Sequence, residues 1–106
     1  MSKINQKILD KKLFPMTFGG EHSISIGTIR AFNECFNNLT VLHIDAHADL
    51  RKAYEGSSCN HACAVYEANQ TTNLVQVGIR SMDVVEKTVM NLEKVFFAHE
   101  MTVNQY

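Results

Sequence analysis

The chain has 106 residues, 45% of them hydrophobic and 20% charged, with a formal charge of −1; this suits one domain or a piece of one and is too short for two. Acidic and basic residues are mixed along it, which gives no electrostatic footprint for nucleic acid or an anionic membrane and points to a small-molecule partner. No apolar run approaches the roughly 20 residues of a membrane span, and the stretch from Met1 to Gln6 lacks the apolar core of a secretory signal, so a cytoplasmic protein is expected.

In chain order, Ile8, Leu9 and Leu13 recur at helical spacing within Ile4 to Leu13, a short helix that ends at Phe14-Pro15. Phe14 to Phe18 is a short apolar run closed by Gly19-Gly20 and reads as a strand with a tight turn. A helix comes next, its apolar face built from Ile24, Ile26, Ile29, Ala31, Phe32, Cys35 and Phe36, and Asn37-Asn38 ends it. Leu39 to Ile44 is almost continuously apolar, the mark of a strand buried on both faces, and Leu74 to Ile79 and Val95 to Ala98 read the same way. Helices over Cys63 to Ala68 and Val84 to Leu92 separate these strands. Strand and helix thus alternate, which predicts an α/β fold of parallel units with helices covering the sheet. Ligand sites in such sheets form beyond the carboxyl ends of the strands, and the polar motifs of this chain fall there.

The densest motif is His43-Ile44-Asp45-Ala46-His47-Ala48-Asp49. Strand periodicity aims His43, Asp45, His47 and Asp49 to one side. Carboxylates with imidazole suit Mn2+, Fe2+ or Zn2+ in a catalytic rather than a thiolate-built structural site. A cation would also offset the several kcal/mol that buried carboxylates cost unpaired; the competing reading is a buried ion network. His43 lies one pair deeper and reads as a core or supporting histidine. Gly19-Gly20-Glu21-His22-Ser23 ends a predicted strand, and His22 projects from that loop toward the carboxylates of the neighbouring strand. Cys59-Asn60-His61-Ala62-Cys63 comes after the loop from Asp49 to Ser58, which carries Arg51, Tyr54, Glu55 and Gly56. His61 there can lean over the pocket and shuttle protons. A Cys-His-Cys zinc cluster is the weaker alternative, because this spacing gives poor tetrahedral geometry. Cys35, Cys59 and Cys63 otherwise read as free thiols filling the interior. Arg80, in Gly78-Ile79-Arg80-Ser81, reads as a strand-end charge paired for structural reasons.

Together these segments, in this order and spacing, resemble the ureohydrolase family of arginase, agmatinase and formiminoglutamase, from about residue 14 onward. The G-G-[DE]-H-S element with D-A-H-x-D is the specific part. Asp49-Leu50-Arg51, Tyr54-Glu55-Gly56 and His61-Ala62 look more like the agmatinase branch. The resemblance implies a three-layer α/β/α fold with a mainly parallel sheet, of which residues 1–106 are a partial domain. It implies two Mn2+ ions, with His22 and Asp49 on one, His47 on the other and Asp45 bridging. It implies hydrolysis of a guanidino C–N bond, agmatine giving putrescine and urea in polyamine biosynthesis. His61 would move protons and the bridging Asp45 would take part in catalysis. A homo-oligomer is implied for the complete enzyme.

The family's second D-x-D pair and its later glutamate are not found before Tyr106, and Cys59-Asn60 stands where the family usually has an aromatic residue and serine. The expectation is therefore a truncated chain with a partial ligand set and no turnover by itself. Rival readings are an arginase- or formiminoglutamase-type substrate, a non-catalytic subunit docking through an open sheet edge on an intact homologue, and, more distantly, a metallophosphoesterase. Sequencing the DNA beyond the codon for Tyr106 tests the truncation: a continuation encoding the second D-x-D is expected.

Overall fold

The computed structural model describes residues 2–103; Met1 and residues 104–106, the ends of the expected domain, lie outside the described residues. Helix α1 (Ser2–Asp10) packs on α2 (Ile24–Cys35), and the buried Asn5 side chain donates to the Thr28 hydroxyl at 3.2 Å between them. Strands β1 (Thr40–Ile44), β2 (Asn73–Ile79) and β3 (Val95–Phe97) form a parallel sheet in the order β1-β2-β3, as the α/β reading requires. Between β1 and β2 lie a 3-10 turn (His61–Cys63) and α3 (Tyr66–Thr71); between β2 and β3 lie α4 (Val84–Val89) and a second 3-10 turn (Leu92–Lys94); α5 (Ala98–Val103) comes directly after β3. Among the described residues no helix is long and apolar enough to cross a membrane.

Four sequence expectations need correction. Phe14 to Phe18 is not a strand: no described strand pairs with it, and Phe14 and Phe18 are 84% and 87% exposed. An apolar run becomes a strand only where a neighbour takes its backbone hydrogen bonds. Strand β1 is buried on one face only, since His43 is buried while Leu42 and Ile44 are exposed. The helix expected from Cys63 starts later, because the Asn60 side chain caps the 3-10 turn by accepting from the Ala62 amide at 3.0 Å. The helix expected to reach Leu92 stops at Val89, and Asn91 caps the next turn through the Glu93 amide at 3.2 Å.

The core gathers Ala48, Leu50, Val65, Ala68, Leu74, Ile79, Met90 and Val95. Ala48 and Leu50, at 0% and 1% exposure, flank Asp49, so the packing that stabilises the fold also anchors the loop after β1. Backbone hydrogen bonds tie this loop to β2 and to the residues just beyond its carboxyl end. The Asp45 amide donates to the Val77 carbonyl at 3.1 Å, and the Ala46 carbonyl accepts from the Arg80 and Ser81 amides at 2.8 and 2.9 Å. The Ala48 amide donates to the Ser81 carbonyl at 3.1 Å. Gly78 makes this possible: its φ is +88°, and an added Cβ would lie 3.3 Å from the Asp45 carbonyl oxygen.

Leu50→Ala is expected to lower unfolding stability by about 2–5 kcal/mol through the cavity left in the core. Gly78→Ala should cost about 1–3 kcal/mol through its backbone conformation. Urea denaturation of each variant checks both values, and a Gly78→Ala variant as stable as the parent would refute the role given to Gly78.

Candidate metal centre

The Asp45–Asp49 segment leaves β1 and turns back on itself. Asp49 adopts φ +53°, left-handed backbone that aspartate tolerates better than most residues. Bonds on both sides hold that conformation: the Asp49 carbonyl accepts from the Val65 amide at 3.2 Å, the Leu50 amide donates to Glu86 Oε2 at 2.9 Å, and the Arg51 amide donates to the Ala62 carbonyl at 3.1 Å. Glu86 does double duty. Its Oε1 accepts from the Asp83 amide at 3.2 Å while Asp83 Oδ1 accepts from the Glu86 amide at 3.0 Å, which closes a capping box at the start of α4. One buried carboxylate therefore fixes both a helix end and the loop carrying Asp49.

His22 reaches this loop from the turn before α2. Its Nδ1 lies 2.7 Å from Asp49 Oδ2 and 3.8 Å from Asp45 Oδ2. Its ring stacks on His43, with centroids 5.3 Å apart and planes 25° apart. The His43 Nε2, buried and without a hydrogen-bond partner, lies 3.4 Å from Asp45 Oδ2 and 3.8 Å from Asp49 Oδ2. One ligand atom from each of His22, His43, Asp45 and Asp49 falls within 4.8 Å of the others. Oxygen and imidazole donors 2.7–3.8 Å apart lie near the separation of neighbouring ligands around one cation, given metal–ligand bonds of about 2.0–2.2 Å.

Of the expected ligands, His22, Asp45 and Asp49 come together, and His47 stands apart from them. His47 is 65% exposed and faces the other oxygen of Asp45, with Nδ1 3.3 Å from Oδ1, while its backbone amide donates to the same oxygen at 2.9 Å. Asp45 thus offers one oxygen toward His22 and the other toward His47. His61 lines the same cleft of about 530 Å³ with Arg51 and Tyr54. Its Nδ1 is 3.7 Å from Glu21 Oε1 and its ring meets Tyr54 edge-on. The loop between is ordered by a tight turn, with Tyr54 and Ser57 exchanging backbone bonds of 2.8 and 3.0 Å around Glu55 at φ +52° and Gly56 at φ +79°. Arg51 pairs with Asp83 and lies 5.1 Å over the Tyr54 ring.

All three cysteines are free, and among the described residues none joins a metal-ligating group. Cys35 and Cys59 are exposed, contrary to the interior placement expected of them; only Cys63 is buried. Arg80 is exposed and makes no ion pair among the described residues, so the structural pairing expected for it is not observed. Sequence patterning passed over Gln76 and Glu86. A lone amide within Leu-Val-Gln-Val and the Asp83-x-x-Glu86 capping pattern were their available signals.

The electrostatics match the geometry. The hydrogen bond to Asp49 raises the His22 pKa above 6.5 despite partial burial, with the charges of Asp49, Asp45 and Glu21 adding to it. Burial pushes His43 below 6.5, which the nearby aspartates only partly oppose. For Asp45, burial resists ionisation, but the His47 amide and the surrounding histidines outweigh it and hold the carboxyl below 3.8.

The arginase family matches residues 1–106. The chain belongs to that family. It is 40% identical over 77 residues to an agmatinase of Bacillus subtilis, covering 70% of this chain and 27% of that protein. It is 41% identical over 69 residues to an N(1)-aminopropylagmatine ureohydrolase of Thermus thermophilus, covering 64% and 24%. The crystal structure of the agmatine ureohydrolase of Thermoplasma volcanium superposes with a TM-score of 0.79 at 30% identity, over 97% of this chain and 36% of that one. This member of the arginase family therefore spans about a quarter of the length of the curated relatives it matches.

Metal ions bind neutral imidazole. With the His22 pKa raised by Asp49, affinity for a divalent cation should increase with pH through a midpoint above 6.5, and binding should release a proton. The sign is opposite for the metal-free fold: the His22–Asp49 pair contributes fully below 6.5 and is lost as pH rises through the raised value. Calorimetric titration in buffers of different ionisation enthalpy measures the proton release; a pH-independent affinity in the His22 range would refute the assignment.

Proposed function

We propose that this chain carries the first part of a binuclear manganese site that hydrolyses a linear guanidino C–N bond, with agmatine as substrate and urea and putrescine as products. The carrying observation is the convergence of His22, Asp45 and Asp49 at the strand ends, with His47 on the second oxygen of Asp45, in a chain whose relatives include agmatinases. Divalent cations supply, when bound, Lewis acidity and a water acidic enough to furnish a nucleophile at neutral pH. Carboxylate and imidazole donors without thiolate suit Mn2+, Fe2+ or Zn2+; Mn2+ is the ion that the family resemblance implies.

The chain's own residues do the rest. His22 and Asp49 would hold one cation and His47 the other, with Asp45, which faces both histidines, shared between them. The packed loop keeps these atoms in place before substrate arrives, so little reorganisation accompanies the reaction. Addition of water oxygen to the guanidinium carbon forms a C–O bond; the bond from that carbon to the alkyl nitrogen then breaks, and the two protons given up by the water end on the departing nitrogen, so that the products are an alkylammonium and neutral urea. His61 stands at the cleft mouth with Nδ1 toward Glu21, and its Nε2 is the atom assigned to one of those protons. The small guanidino substrate, the cytoplasmic setting, the role in polyamine formation and a homo-oligomeric complete enzyme belong to the same proposal.

A chimera in which residues 14–103 replace the matching segment of the Bacillus subtilis agmatinase should release urea from agmatine when Mn2+ is supplied. His61→Ala in that chimera should lower kcat by about 100-fold or more, the range expected for lost proton transfer. Urea formation unchanged by the substitution would remove His61 from the mechanism. Turnover of a phosphoester without turnover of agmatine would overturn the guanidino reading.

A further inference from the structure

The face of β2 toward the site carries an amide among apolar residues: Gln76 is 2% exposed. Its Nε2 lies 2.8 Å from the Ala48 carbonyl oxygen and 3.0 Å from His43 Nδ1. A carbonyl can only accept, so the Gln76 atom facing Ala48 is the amide nitrogen. That nitrogen carries two hydrogens, and the second points to His43 Nδ1. His43 Nδ1 must then be the unprotonated nitrogen of the ring, and the hydrogen sits on Nε2. The same Nε2 is the buried atom without a hydrogen-bond partner that faces Asp45 Oδ2 at 3.4 Å and Asp49 Oδ2 at 3.8 Å.

We propose that Gln76 is a positioning residue that holds His43 in its Nε2–H form, so that His43 donates toward the Asp45 and Asp49 carboxylates and is excluded from ligating the cation. By distance alone His43 counts as a fourth ligand beside His22, Asp45 and Asp49. Gln76 removes it from that set, since a protonated nitrogen has no lone pair for a metal. The N–H instead polarises and orients the two carboxylates, and the flat face of the ring backs the His22 imidazole stacked on it. One amide thereby connects the Ala48 carbonyl, next to Asp49, with the ring behind both carboxylates. Supports of this kind fix the orientation and basicity of the groups they touch.

The inference rests on the metal reading of the site only in its second arm. The first arm needs no metal: in the 15N-labelled chain, long-range ring correlations should place His43 Nδ1 in the unprotonated range and Nε2 in the protonated range. Gln76→Glu replaces the donor with an acceptor and should move Nδ1 into the protonated range. A protonated Nδ1 with a bare Nε2 in the parent chain would overturn the proposal outright, with no variant required to fold. In the second arm, Gln76→Leu in the agmatinase chimera should weaken Mn2+ binding measured by calorimetry by about 10-fold, the lower range for loss of such a support. Equal Mn2+ affinity in the chimera with and without the substitution would overturn the positioning role. If the parent chain shows the Nε2–H form and the chimera binds no Mn2+, the metal reading fails while the Gln76–His43 assignment stands.

Discussion

Two carboxylates and two imidazoles share a small volume at the end of a parallel sheet, and the electrostatic cost of that grouping is the constraint the surrounding structure answers. Asp49 is 8% exposed and His43 6% exposed, so water cannot screen them as it would on the surface. The Asp49 carboxylate meets the His22 imidazole, Asp45 accepts from the His47 amide, and His43 faces both carboxylates. A cation placed among these oxygens and nitrogens would offset the remaining repulsion. Stability and chemistry are thus coupled: the arrangement that is costly to fold is the one that creates affinity for a divalent ion.

The backbone holds the grouping together by three separate means. Ala48 and Leu50 are packed in the core on either side of Asp49. Parallel pairing is carried past the end of β1 through the Ala46, Ala48 and Ser81 bonds, and Gly78 permits the turn of backbone that brings these groups level. Glu86 holds the Leu50 amide from the far side while capping α4. Left-handed backbone at Asp49 costs something on its own, and these neighbours are what keep it populated.

The cleft beside the site is asymmetric. Its inner wall, formed by His22, Asp45 and Asp49, is held by core packing and backbone bonds, whereas the outer wall of Tyr54 and His61 is a loop braced by a tight turn. His47 and His61 are both more than half exposed. A rigid interior that fixes cations and a solvent-facing rim that exchanges protons and admits substrate suit the proposed division of labour.

The amino-acid sequence by itself settled the fold class and the family, because both rest on local signals. Alternating strand and helix patterns specify a parallel α/β sheet, and D-A-H-A-D places ligand-type side chains at the end of β1, where such a sheet gathers its loops, with G-G-E-H-S supplying His22 from the turn before α2. Where elements begin and whether an apolar run becomes a strand were decided by tertiary contacts. Phe14 to Phe18 finds no pairing partner among the described residues, and one face of β1 stays exposed although its sequence is apolar almost throughout. The inner wall was legible only in part. Spacing brought out His22, Asp45 and Asp49, and strand periodicity put His43 behind them as a supporting histidine, but that His47 faces the opposite oxygen of Asp45 depends on the turn after β1. The role of Gln76 depends on two groups, 33 and 28 residues away, that only the folded chain brings to one amide. Periodicity records which way a side chain leaves its own strand; it holds no information about which distant atom will meet it.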